Sequence, residues 1–236
     1  MSLWKFWNNK IEEPTNINIE KQIEEDLPKI KALDLSSVSF IKSPNQSVRK
    51  GEVKYLVLHH TGPGSFNAIV NWLTNSQAKA SAHYVVGTNG QIKQLVNTHK
   101  EAWHAGRAEF NNERIDNHHS IGIEICNIGH ITKDPNDGCY YYEQGRNLKK
   151  YTGKVEPVKG LIKYSDGQEL EGYYIPYPEK QIEKVVALCK GIIKLYPNIQ
   201  AKDITTHYEI ARPIGRKNDP FGLDMDYIRK LIFIEE

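Results

Sequence analysis

The feature that most constrains the fold is an apolar run at residues 53–58, followed at once by two histidines, His59 and His60. Only Lys54 interrupts the run, and a nearly continuous apolar stretch of this length is typical of a strand buried in the centre of a sheet. A side chain at the end of such a strand can project into a cleft at the edge of the sheet. Taken alone, a pair of histidines is more often a hydrogen-bonded surface or core feature than a metal site.

A second group of polar residues lies near the other end of the chain. His207 follows a short β-prone run at residues 204–206, and Asp219 lies twelve positions later (219 − 207 = 12), directly before Pro220. By itself, an Asp-Pro pair indicates a turn. Combined with a histidine at the end of a strand, a late histidine and aspartate supply three ligands that zinc accepts and leave a fourth position free for water. Metal-assisted hydrolysis requires such an open position.

Composition limits the class of protein. The 236 residues suffice for one large domain, and 31 basic against 29 acidic residues leave a net charge of only +2. This lacks the bulk positive field of nucleic-acid-binding proteins, so we expect no nucleic-acid partner. The cysteines are three in number and have no CxxC spacing, which argues against a disulfide framework or a zinc knuckle and favours free thiols. They are Cys126, Cys139 and Cys189.

The start of the sequence and its apolar runs bear on targeting and membrane insertion. The first ten residues lack a continuous apolar segment and a small-residue cleavage site, and no apolar run is long enough to span a bilayer. We therefore expect synthesis in the cytoplasm without a signal peptide, and no membrane span. We also expect a monomer.

The hydrophobic pattern divides the chain into a polar amino-terminal appendage, residues 1–37, and a main domain, residues 38–236. In the appendage, Ile19, Ile23 and Leu27 are spaced like one face of a short helix that Pro28 should end.

Local patterns predict further elements in the main domain. Ser65 is a candidate N-cap for a helix, and Asn89-Gly90 supplies the positive φ angles that a tight hairpin needs. The expected elements are the hairpin strands at residues 82–87 and 91–96, a short strand at residues 121–125, a hairpin with its turn at residues 165–168 on an insertion spanning residues 131–178, and the clearest helix of the chain at residues 179–196.

Five motifs in order carry a resemblance to a known family. Between the two histidine segments lie Ser81-Ala82-His83-Tyr84, Trp103-His104-Ala105-Gly106 and Ser120-Ile121-Gly122-Ile123-Glu124, and the second histidine segment continues to Arg216-Lys217-Asn218-Asp219. With them the chain resembles the type 2 N-acetylmuramoyl-L-alanine amidases, which are similar to the peptidoglycan recognition proteins. The resemblance covers residues 43–129 and 181–229. It implies an α/β fold, with a mixed central sheet flanked by helices and a zinc cleft at one edge.

The resemblance also implies a role for each site residue. Zn²⁺ would be held by His59, His207 and Asp219, which leaves His60 as a packing residue beside the ligands. Glu124 matches the catalytic base of the family, and Lys217 matches a lysine that stabilises oxyanion charge. Trp103 and His104 would line the cleft and contact the substrate. Some enzymes of this type have a tyrosine where this chain has Ala82, so here Glu124 would carry the proton transfer.

The implied substrate is peptidoglycan or its muropeptide fragments, cut at the amide between the lactyl group of muramic acid and L-alanine. The alternatives are a non-catalytic peptidoglycan-binding module and a zinc hydrolase acting on another amide. A phage lysin, a recycling enzyme and an exported toxin all fit, so the site of action is either the cell wall or the cytosolic muropeptide pool. The insertion either faces solvent as padding or flanks the cleft, where its tyrosines could stack on sugars.

Overall fold

The computed structural model describes residues 28–110 and 113–234. The helix expected at residues 19–27 lies outside the described residues. The strands are β1 Gln46–Val48, β2 Tyr55–His60, β3 Tyr84–Val86, β4 Ile92–Gln94, β5 Lys100–Ala102, β6 Ala108–Phe110, β7 Glu113–Ile115, β8 Ser120–Ile125, β9 Ile131–Lys133, β10 Tyr140–Gln144, β11 Asn147–Lys150, β12 Val158–Lys163, β13 Glu169–Tyr174 and β14 Ile204–Thr206. The α-helices are α1 Phe66–Leu73, α2 Glu179–Leu195, α3 His207–Ile210 and α4 Met225–Phe233.

The central sheet has five strands in the order β14-β2-β8-β3-β4. The first four run parallel, and β4 is antiparallel to β3, so the sheet is mixed as expected. The apolar run near residue 55 forms the buried strand β2, whose first five residues are all buried. The strand begins at Tyr55 rather than at residue 53, and it continues through both histidines instead of stopping before them.

Side-chain alternation along β2 separates the two histidines. Leu56 and Leu58 pack into the largest core cluster, whereas Tyr55 and Val57 pack into a smaller cluster on the other face. His59 continues the second series. Because neighbouring side chains of a strand point to opposite faces, His59 and His60 lie on opposite faces of the sheet.

The helices follow the sequence pattern closely. Ser65 caps α1, where its side chain accepts a hydrogen bond from the Ala68 N–H. Helix α2 was expected at residues 179–196 and ends one residue earlier, at Leu195. Its buried face, which includes Val185 and Ile192, packs into the largest core cluster together with α4.

The β3–β4 hairpin is present, but one detail of its turn was predicted wrongly. Gly90 adopts a positive φ of 81°, whereas Asn89 does not have a positive φ. The Asn89 side chain instead accepts a hydrogen bond from the Gln91 N–H at 3.0 Å. The turn therefore uses asparagine as a side-chain acceptor and needs only one left-handed residue.

The insertion is larger than the single hairpin expected from the sequence. The predicted hairpin exists as β12 and β13, and Gly167 in its turn has a φ of 88°. It belongs to a second, antiparallel sheet in the order β11-β10-β9-β13-β12. Strand β13 pairs with β9 through Tyr173 and Ile131, a contact between segments far apart in sequence. This long-range pairing gives the insertion a sheet of its own.

The described end of the amino-terminal appendage lies against the main domain. The Leu33 N–H donates to the Ala187 carbonyl on α2 at 2.8 Å, and Leu33 and Leu35 pack against the largest core cluster. The three cysteines are unpaired within the described chain. None of the described helices is long and apolar enough to cross a membrane.

Candidate metal centre and cleft

The candidate site lies at the carboxyl ends of the parallel strands, where open α/β sheets commonly bind ligands. On β2 and β8, His59 is directly opposite Glu124 in the register. Strand β14 pairs with β2 through Thr206 and Leu58, so the next residue, His207, begins α3 at the same edge. Parallel register thus brings three separate segments to one place.

The three predicted ligands are brought together and are buried. Asp219 Oδ2 lies 3.1 Å from His59 Nδ1 and 2.9 Å from His207 Nδ1. One ligand atom from each residue lies within 4.8 Å of the others, the only such group among the described residues. Two ligands of a tetrahedral zinc ion are about 3.3–3.6 Å apart when each metal bond is about 2.0–2.2 Å. The spacing and the donor types therefore fit a zinc ion.

Electrostatics at this cluster favour a shared cation. Burial and the neighbouring His207 lower the pKa of His59 to about 4. Burial alone would raise the pKa of Asp219, but the two imidazoles beside it lower that pKa well below its ordinary value. A carboxylate and two imidazole nitrogens that converge at these distances repel one another unless a proton or a metal ion lies among them.

His207 is held in one orientation by its surroundings. Its Nε2 donates to the Ala105 carbonyl at 3.2 Å, which leaves Nδ1 facing Asp219. A reciprocal cap fixes the start of α3: the Glu209 N–H donates to Thr206 Oγ1, and the Thr206 N–H donates to the Glu209 carboxylate.

The loop that carries Asp219 is fastened to the site from both sides. The Tyr208 N–H donates to the Asp219 carbonyl at 2.9 Å, and the Phe221 N–H donates to His60 Nδ1 at 3.0 Å. His60 was expected to pack beside the ligands. In the structure it holds the loop that carries the ligand Asp219.

Glu124 is a carboxyl group with a free oxygen in the cleft. Its Oε2 is buried and has no hydrogen-bond partner among the described residues. Burial raises the pKa of Glu124 well above its ordinary value, the Asp219 carboxylate raises it further, and Lys217 opposes the rise. A raised pKa strengthens the affinity of this carboxylate for a proton, which is what a general base requires.

The cluster opens into a cavity of about 860 Å³. All seven site residues expected from the sequence line it, including Lys217, Trp103 and His104. Trp103 is half-buried, and its Nε1 donates to Ser47 Oγ at 2.8 Å. The insertion contributes a further part of the lining, which consists of Glu143, Tyr164, Gln168, Glu169 and Leu170. The insertion thus flanks the cleft.

The tyrosines of the insertion do not act as one stacking surface. Of the eight, Tyr164 lines the cavity, and its hydroxyl donates to the Lys217 carbonyl at 3.1 Å. Tyr140 and Tyr173 pack edge to face against each other, and Tyr174 packs against Phe221. Most of the insertion residues that line the cavity therefore lie at the tip of the β12–β13 hairpin, and Glu143 on β10 adds one more.

Several residues that shape the site gave weak signals in the sequence. Asn117 Oδ1 accepts hydrogen bonds from the backbone N–H groups of His104 and Ala105. Buried His83 accepts from the Gly122 N–H at 3.0 Å and lies beside Arg49, which donates to five backbone carbonyls. The one available signal in the sequence was Gly122, because a glycine inside an apolar strand often marks a place where another group approaches the backbone closely.

Comparisons with known proteins agree with this geometry. Residues 49–222 match the family described as N-acetylmuramoyl-L-alanine amidase. The amidase AmiD of Escherichia coli is 29% identical over 175 residues, covering 71% of this chain and 49% of that protein. The 1,6-anhydro-N-acetylmuramyl-L-alanine amidase AmpD of Escherichia coli is 26% identical over 158 residues, covering 67% of this chain and 60% of that protein. The chain thus spans between about half and three-fifths of these relatives.

A solved structure shares the fold. The crystal structure of a selenomethionine derivative of AmpD superposes with a TM-score of 0.55 at 22% identity, covering 84% of this chain and 96% of that chain. With a family match over most of its length and the same fold, the chain belongs to the N-acetylmuramoyl-L-alanine amidase family.

Proposed function

We propose that the chain hydrolyses the amide bond between N-acetylmuramic acid and L-alanine, in peptidoglycan or in muropeptides, with one zinc ion. The observation that carries this proposal is the convergence of His59, His207 and Asp219 beside a carboxyl group with a free oxygen. Family membership and the names of the relatives AmiD and AmpD support the substrate class.

Glu124 is the proposed general base. When bound, a zinc ion polarises the scissile carbonyl and lowers the pKa of water. The free oxygen of Glu124 takes a proton from the attacking water, and the raised pKa of this carboxyl group suits it to hold that proton. The same group then returns the proton to the leaving nitrogen of L-alanine, which breaks the amide bond.

Lys217 is the proposed source of positive charge for the reacting carbonyl oxygen. It lies two residues before Asp219, and both residues line the cavity. As the amide carbon becomes tetrahedral, negative charge develops on its oxygen, and a cation lining the cleft stabilises that charge. Trp103, on another part of the cavity wall, is the proposed contact for the sugar or the peptide.

Product analysis on a defined muropeptide tests the proposal. Purified chain with zinc should release a peptide with a free L-alanine amino terminus, identified by mass spectrometry. Glu124→Gln should lose roughly 10²–10⁴-fold in turnover while it retains zinc, which is the range for removing a general base. Glu183→Gln is the matched control, because Glu183 is exposed on α2 and should leave turnover unchanged.

The same experiment addresses the rival function, a non-catalytic recognition module. Saturable binding of the muropeptide with no new amino terminus would support recognition and refute the amidase. Wild-type turnover in Glu124→Gln would refute the assigned base.

A further inference from the structure

The second ring nitrogen of His59 has an unusual partner. In His207, the nitrogen that does not face Asp219 donates to a backbone carbonyl, which can only accept. In His59, the corresponding Nε2 lies 3.0 Å from Nδ1 of His104, another imidazole. Either ring could supply the proton between them, so this contact alone does not determine which nitrogen of His59 carries a free electron pair.

A longer chain of contacts resolves this ambiguity. Ser120 Oγ lies 2.9 Å from the Asp116 carbonyl and 3.2 Å from His104 Nε2. The carbonyl only accepts, and a hydroxyl has one hydrogen, so Ser120 donates to Asp116 and accepts from His104. His104 then carries its proton on Nε2.

The protonation of His104 determines that of His59. With its proton on Nε2, His104 presents an unprotonated Nδ1, which accepts from the His59 Nε2–H. His59 Nδ1 is then left with a free electron pair directed at Asp219. Neutral imidazole binds a metal through its unprotonated nitrogen, so the Asp116 carbonyl selects the nitrogen that zinc requires.

The His104 ring is fixed in this position by its neighbours. A Cβ on Gly122 would lie only 2.5 Å from His104 Cγ, so the ring sits directly over that glycine. Asn117 holds the His104 backbone N–H, and Arg49 donates to the Ser120 carbonyl at 3.0 Å. The two middle members of this chain of hydrogen bonds, His104 and Ser120, are thus both anchored through their backbones.

We propose that His104 and Ser120 are positioning residues that hold His59 in the zinc-binding tautomer, with the Asp116 carbonyl as the fixed end of the chain. This role replaces the substrate contact expected for His104, because both of its ring nitrogens are engaged by the protein. The inference rests on the zinc site in the proposed function, but its readouts do not require amidase activity. Without the chain of hydrogen bonds, His59 can protonate Nδ1, and that proton competes with the metal.

Two kinds of substitution at His104 separate positioning from packing. His104→Asn puts an acceptor oxygen close to where Nδ1 lies, whereas His104→Leu fills space without an acceptor. Zinc affinity, measured by competition with a chelator, should fall roughly 10–100-fold in His104→Leu, the usual range for loss of such a partner, and stay within a few-fold of wild type in His104→Asn.

Ser120 provides an independent arm with a matched control. Ser120→Ala should also weaken zinc binding, whereas Ser43→Ala should not, although Ser43 is equally buried and its hydroxyl also donates to a backbone carbonyl. The control accounts for any general loss of packing. If His104→Leu fails to fold, Ser120→Ala still tests the chain of hydrogen bonds.

Long-range ¹H–¹⁵N spectra of the metal-free wild-type protein at pH 8 read the tautomers directly. The expected result is a proton on Nε2 of both His59 and His104. A proton on His59 Nδ1, or wild-type zinc affinity in both His104→Leu and Ser120→Ala, would overturn the inference. If the wild-type chain binds no zinc, the proposed function fails, and the spectra still decide the tautomers.

Discussion

Replacing Gly122 by alanine should both destabilise the protein and weaken zinc binding. The new Cβ would lie 2.5 Å from His104 Cγ, whereas carbon atoms normally approach to about 3.5–4.0 Å. The ring must therefore shift by about 1 Å, which is enough to disrupt the 3.0 Å hydrogen bond between His59 Nε2 and His104 Nδ1. Overpacking costs about 1–3 kcal/mol, and the stiffer unfolded chain returns about 0.4–1 kcal/mol, so the free energy of unfolding should fall by about 1–2 kcal/mol.

A double-mutant cycle isolates the cause. Urea unfolding should show the loss in Gly122→Ala but not when the same change is made in a His104→Ala background, where no ring opposes the methyl group. Gly64→Ala is the matched control, because its Cβ meets only the flexible end of the Ile69 side chain. An equal cost in both backgrounds, or unchanged zinc affinity in Gly122→Ala, would refute the reasoning.

Two further predictions concern the core beside the site and the part of the insertion that lines the cavity. Burial and the charge of Arg49 lower the pKa of His83 to about 3, below the ordinary 6.5, so the unfolded chain binds the proton and stability is lost as pH falls below 6.5. Between pH 8 and pH 5, the free energy of unfolding of the metal-free wild type should fall by about 2 kcal/mol more than that of His83→Gln, measured by urea unfolding at each pH. Equal losses in the two proteins would refute this prediction. Replacing residues 163–169 by Asn-Gly removes Tyr164 from the cleft. The shortened chain should bind intact sacculi more weakly, while its zinc content and its cleavage of a minimal muramoyl-peptide persist. Unchanged degradation of sacculi would show that the hairpin plays no part in substrate recognition.

Local signals in the sequence predicted much of the central domain. The apolar run before His59 predicted the buried strand β2, the apolar face of α2 predicted a core helix, and Ser65 predicted the cap of α1, because each depends on residues close together in sequence. The resemblance then gave three candidate ligands from distant segments, which parallel pairing brings to one edge. Their roles remain predictions.

Features that depend on long-range packing were missed or predicted wrongly. The insertion was expected as one hairpin because the pairing of Tyr173 with Ile131 joins strands that are far apart in sequence. The roles of Ser120 and Asn117 were not predictable, since each depends on the position of His104 after the loops have packed. Asn89 was expected to have a positive φ, but its side chain offered an alternative hydrogen bond.

The most direct test of the central claim is a zinc titration of chelator-treated protein, with hydrolysis of a defined muropeptide as the readout. Activity should return and saturate at one equivalent of zinc per chain, because the described residues contain one group of three converging ligands. Asp219→Ala should regain little activity at the same concentrations, since the site then lacks one of its three ligands. Full activity without bound metal, or full recovery by Asp219→Ala at one equivalent, would contradict it.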